Sequence, residues 1–239
     1  MDRAAQEAAQ RVTDAIRDVR TDQGLEATID DIVRRTLEVL PGCDAVSLAV
    51  VANHTHTIDA YTASDPSLEP LDRLQHEIGE GPAIDATAQM RLVESVDLAH
   101  DTRWDRWRPA AVAEVGVQAV RVVPIHVAGR PYGTLHSYGV AHPLPVGDQI
   151  VTHLWAAHVA SAVSAAHARA GLEVAVDSRT TIGVAIGMLM VQYGIDRDRA
   201  FDVLRRTSQA ANRKLTAVVE SYIETRRLPG VDREPLPRL

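Results

Sequence analysis

The 239-residue sequence is poor in aromatics, at 4% with a single phenylalanine, Phe201, and it holds one cysteine, Cys43. So few rings leave no stacking platform for nucleic-acid bases, and any core must be built from Val, Leu, Ile and Ala. A lone thiol forms no internal disulfide, no thiolate zinc site and no resolving pair for redox chemistry. No unbroken apolar run approaches the roughly 18 residues of a membrane span, and the opening MDRAAQEAAQRV lacks the apolar core of a signal peptide. These absences predict a cytoplasmic protein. Catalytic signatures are missing as well. There is no G-x-S-x-G elbow, no G-x-x-x-x-G-K-[ST] phosphate loop and no H-E-x-x-H zinc helix, so no enzyme activity is expected. The His54-x-His56 pair lacks a third ligand at recognisable spacing, and His153 and His158, five apart on a helix, diverge by about 140°. Neither a metal nor a cofactor is expected.

What is present is 46% apolar and 24% charged, enough for one large or two small domains with proper cores. The net charge of −7 is unevenly placed. Residues 1–172 hold 14 Lys+Arg against 23 Asp+Glu, whereas residues 173–239 hold 11 against 9. From Ser178 to Leu228 the balance is +4, with nine basic residues against five acidic. The sign of the charge therefore reverses along the chain, although basic residues on solvated helix faces are common and name no partner by themselves.

Apolar spacing of three and four predicts helices over residues 2 to about 20 and over Leu25–Leu40. Asp44–Val51 and Thr55–Thr62 then read as strands joined by a turn near Asn53. Ala63–Leu74 reads as loop, and the glycines and proline of His76–Pro82 argue against regular structure there. Ala83–Gln89 is predicted as a short helix, Leu92–Val96 as a strand, Trp104–Val115 as a helix, and Ala119–Val127 with Gly133–Gly139 as a strand pair turning at Gly129-Arg130-Pro131. Beyond Pro145 the chain is helical to about Val176. Three further helices follow, the first ending at Tyr193-Gly194, the second capped by Asp196 and the third opened by Leu215. The fold class is α+β: an antiparallel sheet with flanking helices, followed by an all-α three-helix segment. The expected divisions are an amphipathic helix at 1–24, a sensor-like domain at 25–170, a helical domain at 171–229 and a Pro-rich tail at 230–239. Trp104 and Trp107 are packing residues or part of a lid.

The run from Ser178-Arg179 through Ile182, Ala185, Gly187, Leu189-Met190, Tyr193-Gly194-Ile195, Ala200-Phe201, Leu204-Arg205, Ser208 and Asn212-Arg213-Lys214-Leu215 resembles the ANTAR family of RNA-binding antiterminator domains. The resemblance implies a three-helix module that, usually as a dimer, binds paired hairpin loops in nascent transcripts and prevents a terminator stem from forming. It implies RNA contacts at Arg179, Ala185, Gly187, Arg205, Ser208, Asn212, Arg213 and Lys214. Spacing near i, i+3, i+7 and i+8 would place Arg205, Ser208, Asn212 and Arg213 on one face of the second helix. Such a face suits a splayed loop better than a duplex, since the deep groove of A-form RNA excludes side chains. Where many members have Ala-Lys-Gly, this sequence has Ala185-Ile186-Gly187. That exchange loses a cation, and Ile186 is then expected between protomers unless the second helix carries more of the affinity. Gly187 is expected either to mark a close approach or to be merely tolerated.

Leu25 to Ala168 resembles a GAF domain, through Gly79-Glu80-Gly81-Pro82-Ala83-Ile84-Asp85-Ala86, Asp101-Thr102-Arg103-Trp104, Val123-Pro124-Ile125 and Gly133-Thr134-Leu135-His136-Ser137-Tyr138. This implies a sensor with a small pocket for an unidentified ligand. Ala83 stands where many relatives have cysteine, which excludes thiol-based sensing at that position. The favoured expectation is a signal-responsive antitermination regulator, homodimeric through its N-terminal and interdomain helices. A DNA-binding regulator and a protein-interaction module without nucleic-acid binding are the alternatives.

Overall fold

The computed structural model describes residues 3–40, 42–51, 58–145 and 149–228. The chain divides into two compact units, Met1–Arg169 and Ala170–Leu239.

Two amphipathic helices open the first unit, α1 (Arg3–Asp18) and α2 (Leu25–Val39). The β-branched and alternating runs that follow form β1 (Ala45–Val51) and β2 (Ile58–Ala63). The turn near Asn53 and the His54/His56 pair lie outside the described residues. With β3 (Val93–Ser95), β4 (Ala119–Val127) and β5 (Arg130–Gly139), these strands make one antiparallel sheet in the order β2-β1-β5-β4-β3.

Period-two alternation gives this sheet two buried faces. Val46, Leu48, Val50, Val123 and Ile125 pack with Val12 of α1, Ile29 and Ile32 of α2, and Trp155 and Val159 of the long helix α6 (Gln149–Tyr193). The opposite face packs Ala45, Val120 and Val122 against Leu68 and Leu71 of α3 (Leu68–Ile78), Ala83 and Ala86 of α4 (Pro82–Gln89), and the buried indoles of Trp104 and Trp107. Both tryptophans are thus packing residues. Two carboxylates hold the chain after β5 and the start of α6 against the sheet. Asp44 accepts the backbone N–H groups of Val140, Ala141 and His142, at 2.7 to 3.1 Å. Glu94 pairs with the buried Arg121 and accepts from Gln149 at 2.8 Å.

Several local expectations give way. The stretch expected as loop over Ala63–Leu74 becomes helical at Leu68, and α3 continues through His76 to Ile78. Pro70 falls in its first turn, where an N–H has no intrahelical partner to lose, and Leu68, Leu71 and Gln75 bury one face. The helix expected over Trp104–Val115 shrinks to α5 (Arg108–Ala110) and a π-helical turn, Ala111–Val115. Pro109 cannot donate within a longer helix begun at Trp104. The β4–β5 hairpin turns at Ala128-Gly129, one step earlier than expected, with φ of 50° and 77°. That is the double left-handed geometry of a two-residue hairpin loop.

In the second unit, the interdomain helix and the first C-terminal helix are one element. Nothing stronger than Gly171, Gly183 and Gly187 interrupts α6, each costing about 1 kcal/mol relative to Ala in a helix interior. Asp196 caps α7 (Arg197–Ala210) by accepting from the Arg199 N–H at 2.8 Å. Together with α8 (Leu215–Thr225) these helices enclose Ala185, Ile186, Leu189, Ala200, Leu204, Val219 and Tyr222. The tail after Leu228 lies outside the described residues.

By length and average composition α6 is apolar enough to cross a membrane, which a search for unbroken apolar runs does not detect. Only 17% of its most apolar window is buried, so much of that apolar surface faces outward in the single chain.

Backbone geometry sets one expectation. A Cβ at Gly133, φ +149°, would lie 1.9 Å from the Ala49 carbonyl oxygen. Gly133→Ala should lower stability by well over 1 kcal/mol, whereas Ala128→Asn, in a position that favours asparagine, should raise it by a few tenths to about 1 kcal/mol. Urea midpoints at constant m-value check both.

Candidate nucleic-acid interface

The eight residues expected at the interface fall into three groups. Arg179 is exposed on α6. Ala185 is fully buried among the three helices and presents no surface to a ligand. Ile186, 8% exposed, packs in that same core and not between protomers, because α7 and α8 already cover its face of the helix. Gly187 is exposed, and a Cβ there would meet nothing within 4 Å, so among the described residues none outside its own helix approaches it closely.

On α7, Arg205 is exposed and pairs with Asp202 at 2.9 Å. Both partners are about half exposed, and such a pair contributes on the order of 0 to 1 kcal/mol, too little to withhold the guanidinium from a phosphate. Ser208 lies on the same helix, half-buried. The helix ends at Ala210, so Asn212 and Arg213 do not extend its face as the spacing predicted. Asn212 adopts φ 49°, in the left-handed region that asparagine tolerates, and this turns the chain. Ser208 donates through Oγ to the Arg213 carbonyl at 2.6 Å and accepts the Arg213 N–H at its own carbonyl, fixing the turn against α7. Lys214, exposed, is the N-cap residue of α8. The structure therefore gathers Ser208, Asn212, Arg213 and Lys214 at one connection, with Arg205 on the helix leading into it.

The first unit has a polar interior that the sequence did not reveal. Asp72 of α3, 1% exposed, lies on the sheet. Its Oδ1 accepts from His136 Nδ1 at 2.8 Å, from Gln75 Nε2 at 3.2 Å and from the Tyr138 hydroxyl. Its Oδ2 accepts from Ser47 Oγ at 2.5 Å and Tyr61 at 2.8 Å. Thr134 Oγ1 meets the other His136 nitrogen at 2.8 Å. Burial pushes the Asp72 carboxyl upward, but the charge of His136 and the converging donors outweigh it and hold the group below the usual carboxylate range. Burial and the nearby Asp72 charge keep the Tyr61 and Tyr138 phenols far above their ordinary range. A loop assignment for residues 63–74 hid Asp72. The only signal was the two-residue alternation Thr134, His136, Tyr138, a polar stripe on an otherwise apolar strand. Among the described residues no cluster of His, Cys, Asp and Glu is arranged to hold a metal ion.

Residues 170–221, spanning the end of α6, all of α7 and most of α8, match the family model of the ANTAR domain. The chain carries an ANTAR domain. The first unit has the GAF fold. It is similar to the GAF domain of an Acinetobacter phosphoenolpyruvate-protein phosphotransferase at 13% identity, covering 72% of this chain and 99% of that one, TM-score 0.52. It is likewise similar to the GAF domain of a Coxiella burnetii phosphoenolpyruvate-protein phosphotransferase at 19% identity, covering 70% and 98%, TM-score 0.53. No curated protein matches the sequence. The ANTAR match spans the cationic connection, and the GAF fold spans the Asp72 cluster.

Asp72 sets a pH expectation. A carboxyl depressed in the folded state stabilises above its unfolded value of about 3.9, and that contribution disappears as pH falls through the lower folded value. Asp72→Asn should cost about 3–5 kcal/mol at pH 7, as for a broken buried pair. The difference from the natural protein should narrow below about pH 4. Urea unfolding at pH 7 and pH 3 checks the trend.

Proposed function

We propose that this protein is a cytoplasmic, signal-responsive antitermination regulator that binds RNA hairpin loops through its ANTAR domain under the control of its GAF unit. The observation carrying this reading is the exposed cationic connection Asn212-Arg213-Lys214 with Arg205, borne by an ANTAR domain in a chain that is otherwise acidic. Guanidinium and amide groups on a turn approach phosphates and unstacked bases of a loop, and hydrogen-bond them, without entering a duplex groove. Ala185 belongs to the core that supports this surface, and Arg179 and Gly187 lie on the outer face of α6.

We further propose that two copies pair along α6. Exposed apolar or small side chains recur on it at Ile150, Leu154, Ala157, Ser161, Ala165, Ala168, Leu172, Val176, Gly183, Gly187 and Met190, with the exposed Arg179 as the one break in the series. This is an 11-residue spacing, the period of a helix pair with a slight right-handed supercoil. The stripe of α1, by contrast, is already covered, since Val12 and Ala15 are buried within their own unit. Pairing along α6 brings two ANTAR domains to one RNA, and an input that shifts the register of the pair changes their spacing. A small molecule bound by the GAF unit is one such input.

The direct test is crosslinking in cells followed by sequencing of the RNA recovered with the protein. Tandem hairpins should be enriched with the natural sequence and lost with Arg205→Ala combined with Arg213→Ala. Equal recovery would remove the proposed contact surface. In vitro, the double variant should flatten the dependence of log affinity on log salt by about 1 to 2, as expected for two lost phosphate contacts. Gly187→Ala should strengthen the isolated helix by about 1 kcal/mol yet weaken self-association in sedimentation, because it adds a methyl group on the pairing stripe.

A further inference from the structure

Helix α4 begins without a cap of its own, because its N-cap residue is Gly81. The orphan N–H of Ala83 is taken instead by Oε1 of Gln75, from the preceding helix, at 2.8 Å. The same carboxamide donates through Nε2 to Asp72. Its orientation is therefore fixed at both ends: reversing it would set a carbonyl against the carboxylate and an NH2 group against a backbone N–H. The fit is close. A Cβ at residue 81 would fall 2.5 Å from Gln75 Cγ and Oε1, and Gly81 has φ +147°.

Gln75 stands between two sets of contacts. On one side is the cluster in which Asp72 holds Ser47, Tyr61, His136 and Tyr138 from three strands. On the other is α4, which together with α3 holds the segment of the buried Trp104 and Trp107, since Trp107 Nε1 also donates to the Leu71 carbonyl at 3.0 Å. Glu80, just before α4, accepts the backbone N–H groups of Arg106 at 2.7 Å and Trp107 at 3.2 Å. Asp85, within α4, accepts from Trp104 Nε1 at 2.9 Å.

We propose that Gln75 is a conformational relay that couples the polar face of the sheet to the segment carrying the buried Trp104 and Trp107 through the N-terminus of α4. A disturbance of the Asp72 cluster releases the Gln75 carboxamide, uncaps α4 and loosens Glu80 and Asp85 from the tryptophan segment. Gln75 acts here as a positioning residue. The role of such a relay in signalling rests on the sensor reading of the GAF unit, but its existence does not depend on RNA binding.

The test uses the full chain in a Trp155→Phe background, so that only Trp104 and Trp107 fluoresce. Gln75→Glu, which cannot donate to Asp72, and Gln75→Met, which makes neither bond, are compared with Leu48→Ala, which weakens the opposite face of the sheet. Amide exchange over residues 82–89 should rise about tenfold in both Gln75 variants, as for loss of a helix cap, with a red shift of emission. Leu48→Ala should leave both readouts in place despite an equal or larger loss of overall stability. Unchanged exchange and emission in the Gln75 variants, or equal changes in Leu48→Ala, would overturn the relay. If Gln75→Glu does not fold, Gln75→Met decides alone. Relay behaviour without hairpin binding would refute the RNA reading and leave the relay standing.

Discussion

A single helix supplies side chains to two separate cores, and both units depend on it. Over its first five turns, α6 places Trp155, Val159 and Val163 in the apolar layer shared with α1, α2 and the sheet. Over its last turns, Ala185, Ile186 and Leu189 form the floor of the three-helix domain. Trp155 further donates to Thr36 at 2.8 Å, a buried hydrogen bond that fixes α6 against α2. Each core covers only one face of the helix, and a stripe of apolar and small side chains on the remaining surface is left exposed. The proposed pairing of two copies would cover that stripe, on which no other described element of the chain packs.

Charge is divided along the same boundary. Some acidic side chains in the GAF unit are paired locally, in the Asp31–Arg35 and Glu94–Arg121 pairs and in the Asp44 contacts to backbone N–H groups. The ANTAR domain keeps its cations at the surface and carries its own core on few residues. Buried and exposed positions alternate closely along α6: Ala185 and Ile186 face inward while Gly187 faces out. Ile186 is thus a packing residue of the three-helix core, and the exposed cations of this domain include those at the α7–α8 connection.

Much of this architecture was legible because it rests on periodic burial. The stripes of α1 and α2, the alternation of β1, β4 and β5, and the Asp196 cap all state their structure locally. The misreadings came where a tertiary contact overrides a local signal. Pro70 and the glycines near residue 80 resemble loop punctuation, yet Pro70 fits a first turn and Gly81 fits against Gln75. Helical spacing likewise carried Asn212 and Arg213 onto α7, although asparagine in the left-handed region stops the helix and starts the turn. The Asp72 cluster was the least legible feature, because its members come from three strands and a helix far apart in sequence and only folding brings their polar atoms together. The family resemblances located the domains, but burial decided which of their residues reach the surface.

The central claim is that the cationic connection of the ANTAR domain recognises RNA loops. Titrating the full chain with a labelled tandem-hairpin RNA and with duplex DNA of the same sequence, at matched salt over a range of concentrations, tests it most directly. The account predicts tighter binding to the hairpins at every salt concentration, with affinity falling steeply as salt rises. Equal or tighter binding to the duplex, or no salt-sensitive affinity for either, would contradict it.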